Sequence, residues 1–165
     1  MLFGSSGIRG AQATTLFEMG EPSAANLFPE LPIAEFAFPG PLRDRLVDAI
    51  LNGRKVSTTG LALEYEVEDE PLPQPGQRFA VVDSSDHPVA VIEVTSVLVA
   101  PLGEVALSHA MDEGEGHATV HAWRTGHEAF WQSKEMLAVL GDPTFTVDDT
   151  TLVVLERFEL VERLE

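Results

Sequence analysis

Two short apolar, β-branched runs joined by five turn-forming residues constrain this chain more than any other feature. Residues 78–83 and 89–99 are rich in Val, Ile and Ala, and SSDHP (84–88) between them holds the residue types that close tight turns. Such a pattern predicts an antiparallel strand pair, because side chains alternate across a pleated ribbon and the linker is too short for a crossover. Residues 57–65 and 152–161 have the same content and are expected as further strands. Helices are fewer. Pro41 can open one over 41–52, where Leu42, Leu46, Ala49 and Ile50 recur at helical spacing and Gly53 is placed to end it. A short helix is expected over 102–111, broken by EGEG (113–116). Over 119–140, Val120, Trp123, His127, Phe130 and Leu137 form one stripe facing the core despite Gly126. The order of elements predicts an α+β domain with a mainly antiparallel, barrel-like sheet and flanking helices.

A length of 165 residues favours one domain. Residues 1–33 combine Phe3, Phe17 and Phe28 with Pro22, Pro29 and Pro32, so they read as an arm packed on a body formed by 34–165. GSSGIRG (4–10) resembles a phosphohexomutase signature, which needs several domains that this length cannot supply. The chain has no cysteine, which excludes a disulfide framework, a thiolate metal site and a cysteine nucleophile. No apolar run approaches the roughly 18–20 residues that span a bilayer, and the N-terminus lacks the basic-then-apolar order of a signal peptide. A cytoplasmic location without membrane contact is therefore expected. A formal charge of −17 disfavours broad nucleic-acid binding, which rests on cationic contacts to phosphates.

One basic island interrupts the acidic chain. Residues 41–60 carry Arg43, Arg45, Arg54 and Lys55 against Asp44 and Asp48, whereas 61–77 carry five acids and no base. Within the island, GRKVSTTG (53–60) places Lys55 and Thr58 three apart as the chain leaves a helix for a strand. In an extended segment residues three apart face opposite ways, so these two converge only if the helix exit rotates Lys55 back. The alternative is an Arg-Lys pair at a helix C-terminus beside a strand threonine. Asp112, Glu113 and Glu115 crowd a glycine-broken turn, where carboxylates can bind a cation, hold a lysine or lie solvated. His117 and His121 could share a helix face, but no third ligand is placed beside them, so neither a metal nor another cofactor is expected.

In order along the chain, GRKVSTT (53–59), YEVEDEPLPQPG (65–76), IEVTSV (92–97), HAMDEGEG (109–116), WRTGHEAFW (123–131) and ERFELV (156–161) resemble bacterial ASCH-domain proteins, over roughly three quarters of the sequence. The resemblance implies a barrel of the PUA-like kind, the fold of RNA-binding domains associated with pseudouridine synthases. A small ASCH protein of related pattern is an amidohydrolase of N4-acetylcytidine that uses a lysine, a threonine and a glutamate. Its G-R-K-x-x-T segment carries these roles to Lys55 and Thr58, and its glutamate to Glu113. Arg54, Tyr65, Glu115, Trp123, Arg124 and His127 are the expected substrate-binding residues, although Glu115 and the WRTGH segment are additions to that enzyme's pattern. Trp123, Arg124 and His127 are expected to line or support a cleft, with core packing the alternative for the helix face that Trp123 and His127 share. A threonine hydroxyl needs a neighbouring base to become a nucleophile; Lys55 can serve if burial or a positive neighbour such as Arg54 lowers its pKa, which leaves Glu113 to position the amide nitrogen or protonate it as it leaves. The expected activity is thus hydrolysis of an acylated, uncharged nucleoside. The alternative is an RNA-binding ASCH module, with ribonuclease activity as a variant of it.

Overall fold

The computed structural model describes residues 31–165, so all but the end of the expected arm lies outside the described residues. Among the described residues five strands form one sheet in the order β1-β3-β4-β5-β2. Its centre is the expected hairpin of β3 (Arg78–Val82) and β4 (Pro88–Pro101), paired antiparallel. Asp83 closes the turn by accepting the backbone N–H groups of Ser85 at 2.8 Å and His87 at 3.0 Å through Oδ1, the local bonding that makes aspartate a turn residue. β5 (Leu152–Arg163) runs antiparallel along β4, and β2 (Ser57–Leu61) antiparallel along β5. β1 (Ile33–Ala34) adds to β3 in parallel. Register shifts between Val81 and Val82, Val91 and Ile92, and Val94 and Ser96 mark bulges that bend the sheet. Among the described residues no ladder joins β1 to β2, so the barrel-like sheet remains open in its hydrogen bonding.

Among the described residues five α-helices flank the sheet. α1 (Pro41–Leu51) starts at the expected proline and buries Arg43, Leu46, Val47, Ala49 and Ile50. Arg43 is a cation in the core: it donates to the Ala37 carbonyl at 2.7 Å and 3.2 Å and to Glu35 at 3.2 Å, which satisfies a group that would otherwise be costly to bury. The strand expected over 57–65 ends at Leu61. Residues 62–67 turn into α2 (Ala62–Val67), because the Glu64 carboxylate reaches back to accept the Leu61 N–H at 3.2 Å and caps a helical turn. The helix expected over 102–111 divides into a 3-10 turn at Leu102–Glu104 and α3 (Leu107–Asp112). The stripe over 119–140 likewise belongs to two helices, α4 (Val120–Trp131) and α5 (Lys134–Leu140). Ser133 separates them by accepting the Met136 N–H at 3.3 Å as a new N-cap. The core between sheet and helices includes Phe36, Leu46, Ile50, Val81, Ile92, Trp123, Trp131, Met136 and Val153. No helix among the described residues is long and apolar enough to cross a membrane.

Candidate functional site

The exit of α1 and the turn after α3 are clasped backbone to backbone. Arg54 and Lys55 both donate their N–H groups to the Ala49 carbonyl, at 2.9 Å and 3.0 Å, which turns the chain sharply out of the helix. The next residue, Val56, donates to the Asp112 carbonyl at 2.8 Å. Gly114 fits against this bend at φ +71°, where an added Cβ would lie 2.5 Å from the Arg54 carbonyl oxygen and 2.8 Å from the Lys55 nitrogen. Only glycine allows that approach. Arg157 from β5 bonds Asp112 and anchors the same turn from the sheet side.

The clasp brings Lys55 and Glu113 together in the interior, each with a side chain wholly removed from solvent. Lys55 Nζ donates to the Ser57 carbonyl at 3.0 Å and the Glu113 carbonyl at 3.3 Å, and lies 3.8 Å from Glu113 Oε2. The other carboxylate oxygen, Oε1, accepts the Thr59 hydroxyl at 2.5 Å. His109 Nε2 stands 2.8 Å from that hydroxyl oxygen. Because the single Thr59 proton goes to the carboxylate, Nε2 of His109 must be the donor in this contact. Ser57 Oγ completes the attachment of β2 to α3 by donating to the His109 carbonyl at 2.9 Å.

The threonine at this carboxylate is therefore Thr59, where the sequence pattern points to Thr58. Strand alternation puts Ser57 and Thr59 on one side of β2 and Thr58 on the other. Thr58 is buried and stands opposite Glu156 in the β2–β5 ladder. Tyr65, expected to bind substrate, bonds Glu156 through its hydroxyl and so belongs to that other side. Burial, followed by the charge and hydrogen bond of Glu156, drives the Tyr65 hydroxyl upward from its ordinary pKa, so it remains a phenol.

Behind Glu113 stands an aromatic wall from α4. The His127 ring lies tilted against Trp123 with centroids 4.3 Å apart and meets Trp131 edge-on at 5.2 Å. Its Nδ1 lies 2.9 Å from the Trp123 carbonyl, which can only accept, so Nδ1 carries a proton. Its Nε2 approaches Glu113 Oε2 at 3.1 Å, an ion contact without the alignment of a hydrogen bond. Burial pushes Glu113 up, but His127, Lys55 and the donors around it outweigh burial and hold its pKa well below the ordinary carboxylate value. Burial also pushes His127 down, and the Glu113 charge reverses this to leave it raised. Glu115 differs. Burial and the neighbouring Glu113 charge, opposed by Lys55, place it at about 7.

A cleft of about 510 Å³ opens beside this cluster, between α1 and the 114–116 turn. Leu42, Leu46 and Ala49 give it an apolar floor, and Arg45, Arg54 and Glu115 give it polar edges. Glu115 connects cleft and interior, since a carboxylate oxygen of it lies within 4.8 Å of ligand atoms on Glu113 and His127. Of the expected binding residues, Arg54 and Glu115 line the cleft, while Trp123 and His127 support Glu113 from behind. Arg124 is turned away, held by Glu128 at 2.7 Å and by Asp149. His117 is depressed by burial and by His127.

The sequence model of the ASCH domain matches residues 35–162. The chain belongs to the ASCH-domain family. Its α+β architecture is the PUA-like fold of that family, and two solved structures share it. A protein of Enterococcus faecalis V583 is 28% identical with a TM-score of 0.65, over 88% of this chain and 74% of its own. An ASCH domain from Lactobacillus crispatus JV V101 is 26% identical with a TM-score of 0.68, over 82% of this chain and 84% of its own. No curated protein matches this ASCH chain significantly.

Proposed function

We propose that this ASCH-domain protein is a small-molecule amidohydrolase acting on acylated nucleosides of the N4-acetylcytidine kind, with Thr59 as nucleophile. The observation that carries this reading is the Thr59 hydroxyl held 2.5 Å from an ionised, buried Glu113 with the Lys55 ammonium on the same carboxylate. Glu113 Oε1 takes the hydroxyl proton as Thr59 Oγ bonds the amide carbonyl carbon, and Lys55 stabilises the oxyanion that forms. Collapse breaks the C–N bond and returns the proton from Glu113 to the departing amine. Water then cleaves the acyl-threonine ester by the same proton path, releasing the acid. His109 Nε2–H fixes the Thr59 oxygen throughout. The cleft volume lies within the range of small-molecule sites, and an uncharged nucleoside meets no objection from a net charge of −17. A cytoplasmic setting is part of the same proposal.

A panel of acylated nucleosides incubated with the protein and followed by mass spectrometry tests it. Release of the parent nucleoside and the free acid is expected. Failure to cleave any amide, together with RNA binding that weakens steeply with salt, would replace it with the binding-module reading.

A further inference from the structure

Four buried polar atoms beside the cleft have no hydrogen-bond partner: Glu113 Oε2, both carboxylate oxygens of Glu115, and His127 Nε2. They gather in one place, with ligand atoms of Glu113, Glu115 and His127 all within 4.8 Å of one another. Buried polar atoms are paired in native proteins, so a cluster of four points to a partner that enters from outside. The geometry narrows what that partner is. His127 gives its Nδ1 proton to the Trp123 carbonyl, which fixes the ring and leaves Nε2 facing the carboxylates, the arrangement by which a backbone carbonyl orients a metal-ligating imidazole. Nε2 and Glu113 Oε2 are 3.1 Å apart, yet the ring N–H direction does not run along the line between them. Two ligands of one ion look like this. With metal–ligand distances of about 2.1 Å they stand about 3.0–3.4 Å apart, and the ion lies off the line joining them.

We propose that Glu113, Glu115 and His127 form a binding site for one divalent first-row transition ion of the zinc or manganese class. An imidazole beside two carboxylates favours such an ion over calcium or magnesium, which take oxygen ligands, and a chain without cysteine offers no thiolate to a softer one. This set is separate from the His117 and His121 pair that the sequence suggests. Glu115, on the cleft wall, is the route of entry. Lys55, 3.8 Å from the same Glu113 oxygen, is a fixed positive charge that weakens the site. The site does not depend on the hydrolase reading, because Glu113 turns Oε1 to Thr59 and Oε2 to the ion.

Chelator-stripped full-length protein titrated with Co²⁺ and followed by its visible absorption, and with Zn²⁺ by calorimetry, gives the test. One ion per chain is expected, with affinity at least tenfold lower in Glu115→Gln and unchanged in His121→Ala, both checked for fold by circular dichroism. No saturable binding, or binding equally tight in Glu115→Gln, overturns the site. Hydrolysis by the stripped protein reports on the proposed activity alone, so the two ideas fail separately.

Discussion

Gly114 is the position where a single methyl group should do the most damage. Gly114→Ala forces an L residue to hold φ +71° and puts its Cβ 2.5 Å from the Arg54 carbonyl oxygen and 2.6 Å from the carbonyl carbon. The left-handed backbone costs about 1–2 kcal/mol. An ordinary carbon–oxygen contact needs about 3.3 Å, so backbone must also move, at the cost of overpacking, about 1–3 kcal/mol. Gly53→Ala supplies the control, since Gly53 has φ +79° but nothing within 4 Å of an added Cβ. The control isolates the dihedral cost, and the difference between the two variants isolates the collision.

The melting temperature of Gly114→Ala should therefore fall by about 4–20 °C, at about 2–4 °C per kcal/mol for a chain of this size, against about 2–8 °C for Gly53→Ala. Activity should separate the two further. Relief of the collision pushes the turn away from the α1 exit and draws Glu113 from Lys55 and Thr59, and a misplacement of about 1 Å costs about a hundredfold in rate. Equal melting temperatures for the two variants would refute the argument, because the close approach at Gly114 would then carry no energy.

Two further outcomes follow from the site. Thr59→Val should lower kcat by about two to four orders of magnitude with the fold intact, whereas Thr58→Val should leave most of it; the opposite ranking in a nucleoside hydrolysis assay would restore Thr58 as the nucleophile. In chelator-stripped protein, Glu115 binds its proton more tightly folded, at about 7, than unfolded, near 4.5. Its contribution is thus complete below pH 4.5 and lost as pH rises through 7, a fall of about 3 kcal/mol. Urea unfolding from pH 4.5 to 8 should show a steeper slope in the wild type than in Glu115→Gln, where the raised His127 still contributes, and equal slopes would contradict it.

Much of the fold is legible because its signals are local. Pro41 opens α1 where its missing N–H costs nothing, and Asp83 closes the hairpin with bonds to its own neighbours. Departures arise where a side chain overrides a run of β-forming residues. Glu64 converts the end of a predicted strand into α2, and the Ser133 cap splits one apolar stripe between two helices. The site divides in the same way. The pairing of Lys55 with Glu113 is suggested by family pattern, and the structure joins them through a glycine approach that no spacing announces. Thr59 was open to a simpler rule, since Lys55, Ser57 and Thr59 are two apart and an extended chain puts them on one side. His109 reaches Glu113 locally, four residues earlier on the same helical turn, whereas His127 reaches it only through the packing of α4, which is a long-range result.

The same distinction between chain order and space bears on RNA. In the sequence, Arg43, Arg45, Arg54 and Lys55 look like one basic island on which phosphates could sit. In the structure Arg43 and Lys55 are buried and point into the core. Arg54 is exposed but held by Asp48 at 3.1 Å. Elsewhere Arg78, Arg124 and Arg157 each face a carboxylate as well. Phosphate binding gains its free energy by releasing counterions from several adjacent cations, and cations already neutralised by carboxylates must first give up those partners. Of the island only Arg45, on the cleft edge, and Arg54 stay exposed, while Lys55 lies inside, where with His127 it holds the Glu113 carboxylate ionised. That placement can activate a hydroxyl and offers little to a polyanion, and it favours a small uncharged substrate.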